Sequence, residues 1–389
     1  MPHTARSFDA LPGPDRAPAL LAELAAAPCP YRPAPADVPL ALYGAGNMGR
    51  LARDYLKEVR RDFVIAIDRD AGRIAREPEW AGVRMLYPGD VPAEAKRGVR
   101  LAVSLVTSPY VPLEKALLAE GFEDVVPFYD LAESFRHVHP LSNGWFAAPL
   151  SAQDRDSTAA VLARWHDDVS RAYHLQFLAW RRLREEWSFA AAPVANDNRF
   201  FIPEVRQVLR EDEVFLDAGA HHGHVTEAFV RHTGGTFRRI VAIEPDPASR
   251  LRLAETLKPH AARTAILDCA LSDAEGEAVF HDGLDYASQL SDTGRLRVMR
   301  RRLDSLGLSP TFIKLHLEGA ELAALKGARE TLVKHRPLVA ATVYHNDDGI
   351  WRTAYWLMRT LPGYRFLFRA HSWCGTGAVI YAIPDERGA

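Results

Sequence analysis

The sequence predicts an α/β protein with two Rossmann-like domains, a smaller one toward the N-terminus and a larger one toward the C-terminus. Three observations predict this. Twice, a short apolar strand runs into a glycine-bearing loop and then a helical stretch. Each time, a second strand ends on an acid about 20 residues further on. Beyond the second pair, apolar strands keep alternating with helical stretches, the pattern of a parallel sheet with crossovers.

The elements follow in chain order. Residues 1–37 are rich in Pro and Ala and read as a loose lead with one short surface helix, Leu20–Ala27, broken by Glu23. Residues 38–140 read as the smaller Rossmann-like domain. Strand Pro39–Tyr43 runs directly into Gly44-Ala45-Gly46-Asn47-Met48-Gly49, a helix follows from Arg50, and strand Phe63–Asp68 ends on an acid. This is the full context of a dinucleotide fingerprint, in which Gly44, Gly46 and Gly49 admit a phosphate to a helix start and Asp68 takes ribose hydroxyls. A further strand, Leu101–Val106, and a helix, Glu114–Glu120, complete only about half of a double βαβαβ unit. No hydride-transfer pair follows. The module is either a nucleotide or nucleotide-sugar site, or a docking or dimerising unit that keeps its glycines for turn geometry.

Residues 141–198 read as a helical connector. Leu162, Trp165, Val169, Tyr173, Phe177 and Trp180 recur every three or four residues over Ser157–Trp187, the stripe of a packed helix. Phe189–Asn198 reads as a linker. Residues 199–389 form the larger domain. Its strands are Val214–Leu216, Ile240–Ile243, Ala265–Leu267, Thr311–Leu315 and Pro337–His345, with Tyr364–Phe368 and Ala378–Ala382 as a closing pair.

The loop after the first of these strands, Asp217 to Gly223, is D-x-G-x-x-x-G rather than the G-x-G-x-x-G that seats a pyrophosphate. An early acid suits a ligand with a positive charge or an amino group and no phosphates. S-adenosylmethionine (SAM), with an amino acid end, a sulfonium and a ribose, meets that description. Glu244, ending the second strand, is placed to bind the ribose hydroxyls.

Several motifs in order make residues 199–384 similar to the FkbM family of SAM-dependent methyltransferases. They are the glycine loop Asp217–Gly223, Ala270-Leu271-Ser272-Asp273, Leu303-Asp304-Ser305-Leu306, Phe312-Ile313-Lys314, Glu318-Gly319-Ala320-Glu321 and Leu325-Lys326-Gly327-Ala328. The resemblance covers about half the chain and implies a class I methyltransferase domain with a mostly parallel seven-stranded sheet. It also implies O-methylation of a hydroxyl on a sugar or glycosylated natural product, and an N-terminal Rossmann-like module of a kind some such proteins carry. This chain departs from the family in having His316 where an acid is frequent, and His221, His222 and His224 in the glycine loop. The departures keep a rival reading open, a catalytically degenerate two-domain SAM- or nucleotide-binding protein.

The candidate cofactor residues are therefore Asp217, facing the amino acid end, with Gly219, Ala220, His221, Gly223 and Glu244, and Asp268 and Cys269 where the adenine edge is read. The candidate catalytic residues are His316, His345 and Glu318. A histidine titrates near operating pH and suits a general base, and Glu318 is placed to hold the loop or the acceptor. Lys314 shares a strand face with His316 and pairs with Glu318 or an acidic substrate. Glu321, at a helix start, complements the helix dipole. Tyr344-His345 followed by Trp351 matches a family pattern. His221, His222, His316, His345 and His371 have no local ligand spacing, so no metal is expected. Acceptor specificity is assigned to loops such as 281–295.

Composition sets the bounds. Lys plus Arg is 48 against 50 Asp plus Glu, so no basic field recruits nucleic acid. The tract Arg295–Arg302 reads as a solvated strand or loop edge. Three distant cysteines suggest neither disulfides nor zinc. No apolar run approaches the roughly 20 residues that span a bilayer, and no secretory signal pattern precedes the first domain. The expected protein is cytoplasmic and acts on a small-molecule acceptor such as a sugar or nucleotide sugar, with the N-terminal module positioning the acceptor or forming a homodimer.

Overall fold

The apolar strands flanking each glycine loop assemble into two separate sheets. The structure is a computed structural model that describes residues 2–29, 32–34, 37–139, 141 and 148–388. Its first strand, β1 (Thr4–Phe8), precedes the smaller domain. That domain holds β2 (Leu40–Tyr43), β3 (Ile65–Ile67), β4 (Met85–Leu86), β5 (Arg100–Val103) and β6 (Asp124–Pro127) in the order β4-β3-β2-β5-β6. All pairs are parallel. The order reverses at β2, which puts Gly44–Gly49 at the topological switch point.

After β7 (Glu185–Phe189) come β8 (Val214–Ala218), β9 (Arg239–Ile243), β10 (Thr264–Leu267), β11 (Cys269–Leu271), β12 (Gly276–His281), β13 (Gln289–Leu290) and β14 (Leu296–Arg301). The chain closes with β15 (Phe312–Leu315), β16 (Leu338–Thr342), β17 (Tyr364–Ala370) and β18 (Ala378–Pro384). The main sheet has seven strands in the order β10-β9-β8-β15-β16-β18-β17, with only β18 reversed. Both faces are covered, as parallel sheets require. Phe215 and Phe312 pack with Phe229 on one face, while Leu216 and Ile313 pack with Leu325 and Leu332 on the other. The alternation follows the pleat.

Three expectations are corrected. The lead is not loose: β1 pairs in parallel with β7, and helix Ala17–Ala26 buries Leu20, Leu21 and Leu24 against the connector. Each of these leucines contributes roughly 1.5–3 kcal/mol on burial, which outweighs the exposed charge of Glu23. The connector is two helices, Ala152–Arg164 and Asp168–Leu183, rather than one. Asp167 breaks the pattern by capping the second helix, its carboxylate accepting the Ser170 N–H at 2.7 Å. The third strand divides at Asp268 into β10 and β11, because β11 joins β14, β12 and β13 in a small sheet beside the main one. Arg295–Arg302 contributes β14 to that sheet.

The two domains meet over the C-terminal ends of their strands. Leu284 and Ala287 pack with Met48, Tyr129 and Phe135 of the smaller domain. The Trp373 N–H donates to Val106 O at 2.7 Å. From the connector, Arg184 forms a buried ion pair with Asp130 at 2.9 Å. Among the described residues, no helix is long and apolar enough to cross a membrane.

Candidate active site

Strands β8, β9 and β15 end together and open into a cavity of about 340 Å³. Gly219 follows β8 with φ +72°, and a Cβ there would lie 1.9 Å from the His316 carbonyl oxygen. Only glycine lets the two strand ends approach this closely. Its neighbour loop turns on Gly223, also in the left-handed region, which starts helix His224–His232.

Glu244 ends β9 inside this cavity. Its carboxylate accepts the His221 N–H at 2.7 Å and the Asp246 N–H at 2.9 Å. Burial raises its pKa while those backbone donors lower it, with a net rise. The oxygens are pinned from the backbone side, so their remaining lone pairs are held toward the cavity. Gly219, Ala220, His221, Glu244 and Cys269 all line it. Burial pushes the Cys269 thiol up to about 11, so it serves as an apolar wall rather than a nucleophile.

Three cofactor assignments change. Gly223 is not among the residues lining the cavity and serves the turn into helix His224–His232. Asp217 is fully buried, with its carboxylate taken by Lys314 Nζ at 2.7 Å and Thr226 Oγ1 at 2.7 Å. Lys314 also donates to Gly219 O at 2.8 Å. Asp217 therefore holds the loop from beneath, and the partner of Lys314 is Asp217 rather than Glu318. The pairing follows from register: Lys314 and Asp217 are directly opposite on adjacent strands. Asp268 is exposed and is not among the residues lining the cavity, because the break between β10 and β11 turns it outward.

The catalytic candidates do come together. Glu318 takes φ +50° and Gly319 φ +106°, and the Glu318 side chain is buried between two histidines. Glu318 Oε1 lies 3.1 Å from His316 Nε2 and 3.2 Å from His345 Nε2. His345 Nδ1 faces Glu321 Oε1 at 2.8 Å. Burial alone would lower the pKa of His345, but the charges of Glu318, Tyr344 and Glu321 outweigh it and hold it well above the ordinary value. Burial lowers that of His316 to about 4, so its imidazole is neutral at pH 7. The Tyr344 hydroxyl lies 3.2 Å from His316 Nε2.

Glu321 does more than complement a helix dipole. It accepts from the Leu317 and Gly319 N–H groups at 3.0 and 2.9 Å and from the Thr342 hydroxyl at 2.6 Å, besides facing His345. It ties the turn to β16. The five histidines do not share one point. His221 and His222 face Asp285, His316 and His345 share Glu318, and His371 bonds Ala195 O and the Tyr381 hydroxyl.

Sequence reasoning missed Arg199, Phe200 and Tyr286, all of which line the cavity. Tyr286 lies in loop 281–295, where specificity was expected, but its role has no local signature. A second, polar cavity of about 520 Å³ lies across Glu318 and draws Arg136 and His137 from the smaller domain.

A mostly parallel seven-stranded sheet with one reversed strand, and a cavity at its switch point, defines a class I methyltransferase fold. The model of the methyltransferase FkbM domain matches residues 217–368, and the chain thus carries a methyltransferase domain of the FkbM family. The crystal structure of a methyltransferase FkbM from Methylobacillus flagellatus KT superposes with TM-score 0.62 and 19% identity over 95% of this chain and 98% of that one. The likeness extends the shared fold to both domains. A precorrin-6y C5,15-methyltransferase from Geobacter metallireducens GS-15 matches with TM-score 0.30 and 17% identity over 49% of this chain and 93% of that one. An SAH-bound methyltransferase from Podospora anserina gives TM-score 0.31 and 12% identity over 67% and 98%. No curated protein matches the chain.

Proposed function

We propose that this protein is a SAM-dependent O-methyltransferase acting on a hydroxyl of a polyhydroxylated small molecule, such as a sugar or glycosylated natural product. One observation carries the reading: the cavity holding Glu244 and the polar cavity meet at the same carboxylate, Glu318. The residues of the first cavity fit SAM. Gly219 permits close backbone approach, Glu244 presents anchored acceptor oxygens for ribose hydroxyls, and the volume lies in the range of small-molecule sites. The second cavity is lined by Ser291, Thr293, Asn346 and Asp347, donors and acceptors that suit several hydroxyls.

SAM, when bound, supplies a methyl group on a positively charged sulfur. The chain holds the acceptor oxygen in line with that carbon and excludes water, which is where most of the acceleration in a displacement of this kind arises. Glu318 and neutral His316 sit where the hydroxyl must lie and form the proton-accepting pair. His345, kept protonated between Glu318 and Glu321, is a positioning residue rather than a base. Calorimetric titration with SAM and SAH tests the cofactor, with micromolar binding expected. Mass spectrometry of a panel of hydroxyl, amine and carboxylate acceptors tests the reaction. Binding without turnover of any acceptor would favour the degenerate binding protein.

A further inference from the structure

Where the two cavities meet, three potential ligand atoms point at one another. They are Nε2 of His316, Nε2 of His345 and a carboxylate oxygen of Glu318, all within 4.8 Å. The two histidine nitrogens lie 3.1 and 3.2 Å from Glu318 Oε1. Ligands held at about 2.0–2.2 Å from one ion stand roughly 3.0–3.5 Å apart, whether the angle is octahedral or tetrahedral. We propose that His316, Glu318 and His345 form a site for a first-row divalent metal ion, set between the cofactor and acceptor cavities.

Two further observations support the site. His345 Nδ1 is engaged by Glu321, and Glu321 is itself fixed by Thr342 and by two backbone N–H groups. This is the carboxylate-to-histidine support that turns the other ring nitrogen toward a metal. The cluster also faces open space on both sides, since His316 and Glu318 line one cavity and Glu318 and His345 line the other. Three protein ligands with open positions is the arrangement of a catalytic rather than a structural ion. Two imidazoles and one carboxylate suit zinc, iron, cobalt or manganese better than magnesium or calcium, which prefer oxygen throughout. The other group, His221, His222 and Asp285, is more open to solvent, and its carboxylate is exposed.

The site deepens the methyltransferase reading and rests on it for its role. With the ion bound, His316 and Glu318 serve as its ligands in place of the proton-accepting pair, His345 gives up its Nε2 proton on binding, and the ion acts as a Lewis acid on the acceptor hydroxyl. The O–H bond breaks and its proton passes to water of the polar cavity. The oxygen pair forms the C–O bond, and the pair of the broken C–S bond stays on sulfur.

The test uses the full, tag-free chain stripped of metal by chelator. Co²⁺ is titrated by its visible absorption, Zn²⁺ by competition, and SAH in parallel by calorimetry. The expected result is one Co²⁺ per chain, with affinity about 10–100-fold weaker in His345→Ala and in Glu318→Gln. SAH affinity stays within about 3-fold of wild type in His345→Ala, a residue that does not line the cofactor cavity. Should those buried changes unfold the chain by circular dichroism, His316→Asn at the cavity wall reads the same loss. No saturable Co²⁺ or Zn²⁺ binding, or binding unchanged in these variants, overturns the site. Metal binding without SAH binding would instead sink the methyltransferase reading while leaving the site standing.

Discussion

The chain carries one local device twice, and the two copies differ in what lies in front of them. In the smaller domain, Asp68 Oδ2 accepts the Ala45 N–H at 2.7 Å; in the larger, Glu244 Oε2 accepts the His221 N–H at 2.7 Å. Each acid ends the second strand and ties down the glycine loop of the first. Beyond that the two diverge. The larger loop opens onto a cavity and is held from beneath by Lys314 and Asp217. The smaller loop is engaged in packing. A Cβ at Gly49 would lie 2.2 Å from the Gly44 carbonyl oxygen, and one at Gly44 would lie 3.0 Å from Leu105. Met48 packs with Leu284 and Ala287 of the larger domain. The same strand–loop–helix geometry thus opens onto a cavity in one place and is packed against neighbouring residues in the other. The local motif does not distinguish them.

Four predictions probe this contrast. The largest effect is expected from Lys314→Met, which leaves Asp217 charged and buried beneath the cradle. Removing one partner of a buried pair costs about 3–5 kcal/mol, and urea unfolding would show it. A shift below about 1 kcal/mol would mean that Asp217 is solvated after all. Next come the glycines. Gly219→Ala forces a Cβ onto the His316 carbonyl at a positive φ, and Gly49→Ala forces one onto Gly44. Each is expected to destabilise the fold by roughly 1–3 kcal/mol. Only Gly219→Ala should also abolish SAH binding; loss of SAH affinity in Gly49→Ala would show that the smaller domain shapes the cofactor site.

The two strand-end acids give the third and sharpest contrast. Glu244→Ala should weaken SAH about 10–100-fold, the loss of one or two charge-assisted hydrogen bonds. Asp68→Ala should leave SAH affinity unchanged. NADH binding that Gly46→Asp abolishes would make the N-terminal loop a working nucleotide site and end its reading as a docking surface.

The smallest effect concerns acid. His139, from the smaller domain, stacks on His281 of the larger at 3.9 Å between ring centroids. Burial, helped by the charge of His281, lowers its pKa from 6.5 to about 4. The unfolded chain takes up the proton first, so this residue's contribution is whole above pH 6.5 and is lost as pH falls toward 4. A thermal melting series should show a shallower decline over that window in His139→Asn than in the parent chain. An unchanged slope would remove His139 from the account.

Much of the architecture was legible because hydrophobic period and glycine placement are local signals. All seven strands of the main sheet and three of the five in the N-terminal sheet correspond to the apolar runs read from the sequence; β4, only two residues long, was too short to register, and β6 offers only Val125 and Val126 between an acid and a proline. The break at Asp167 was hidden because the aromatic stripe runs through it, and the capping residue shows itself only once the second helix exists. Within the candidate site, Glu244 and the Glu318 cluster could be named from position at strand ends. The pairing of Lys314 with Asp217 could not, since it depends on which strands are neighbours and in what register.

The amino-acid sequence by itself determined the two α/β units, the glycine loops, the strand-end acids and the family of the methyltransferase domain, because each is written in contiguous residues with a fixed period or spacing. Only the tertiary structure decided that the N-terminal lead joins the core, that Arg136 and His137 of the smaller domain line the polar cavity, and that His316, Glu318 and His345 meet while His371 does not. These are contacts between residues far apart in the chain. Their energy comes from burial and charge pairing across elements, which no local pattern records.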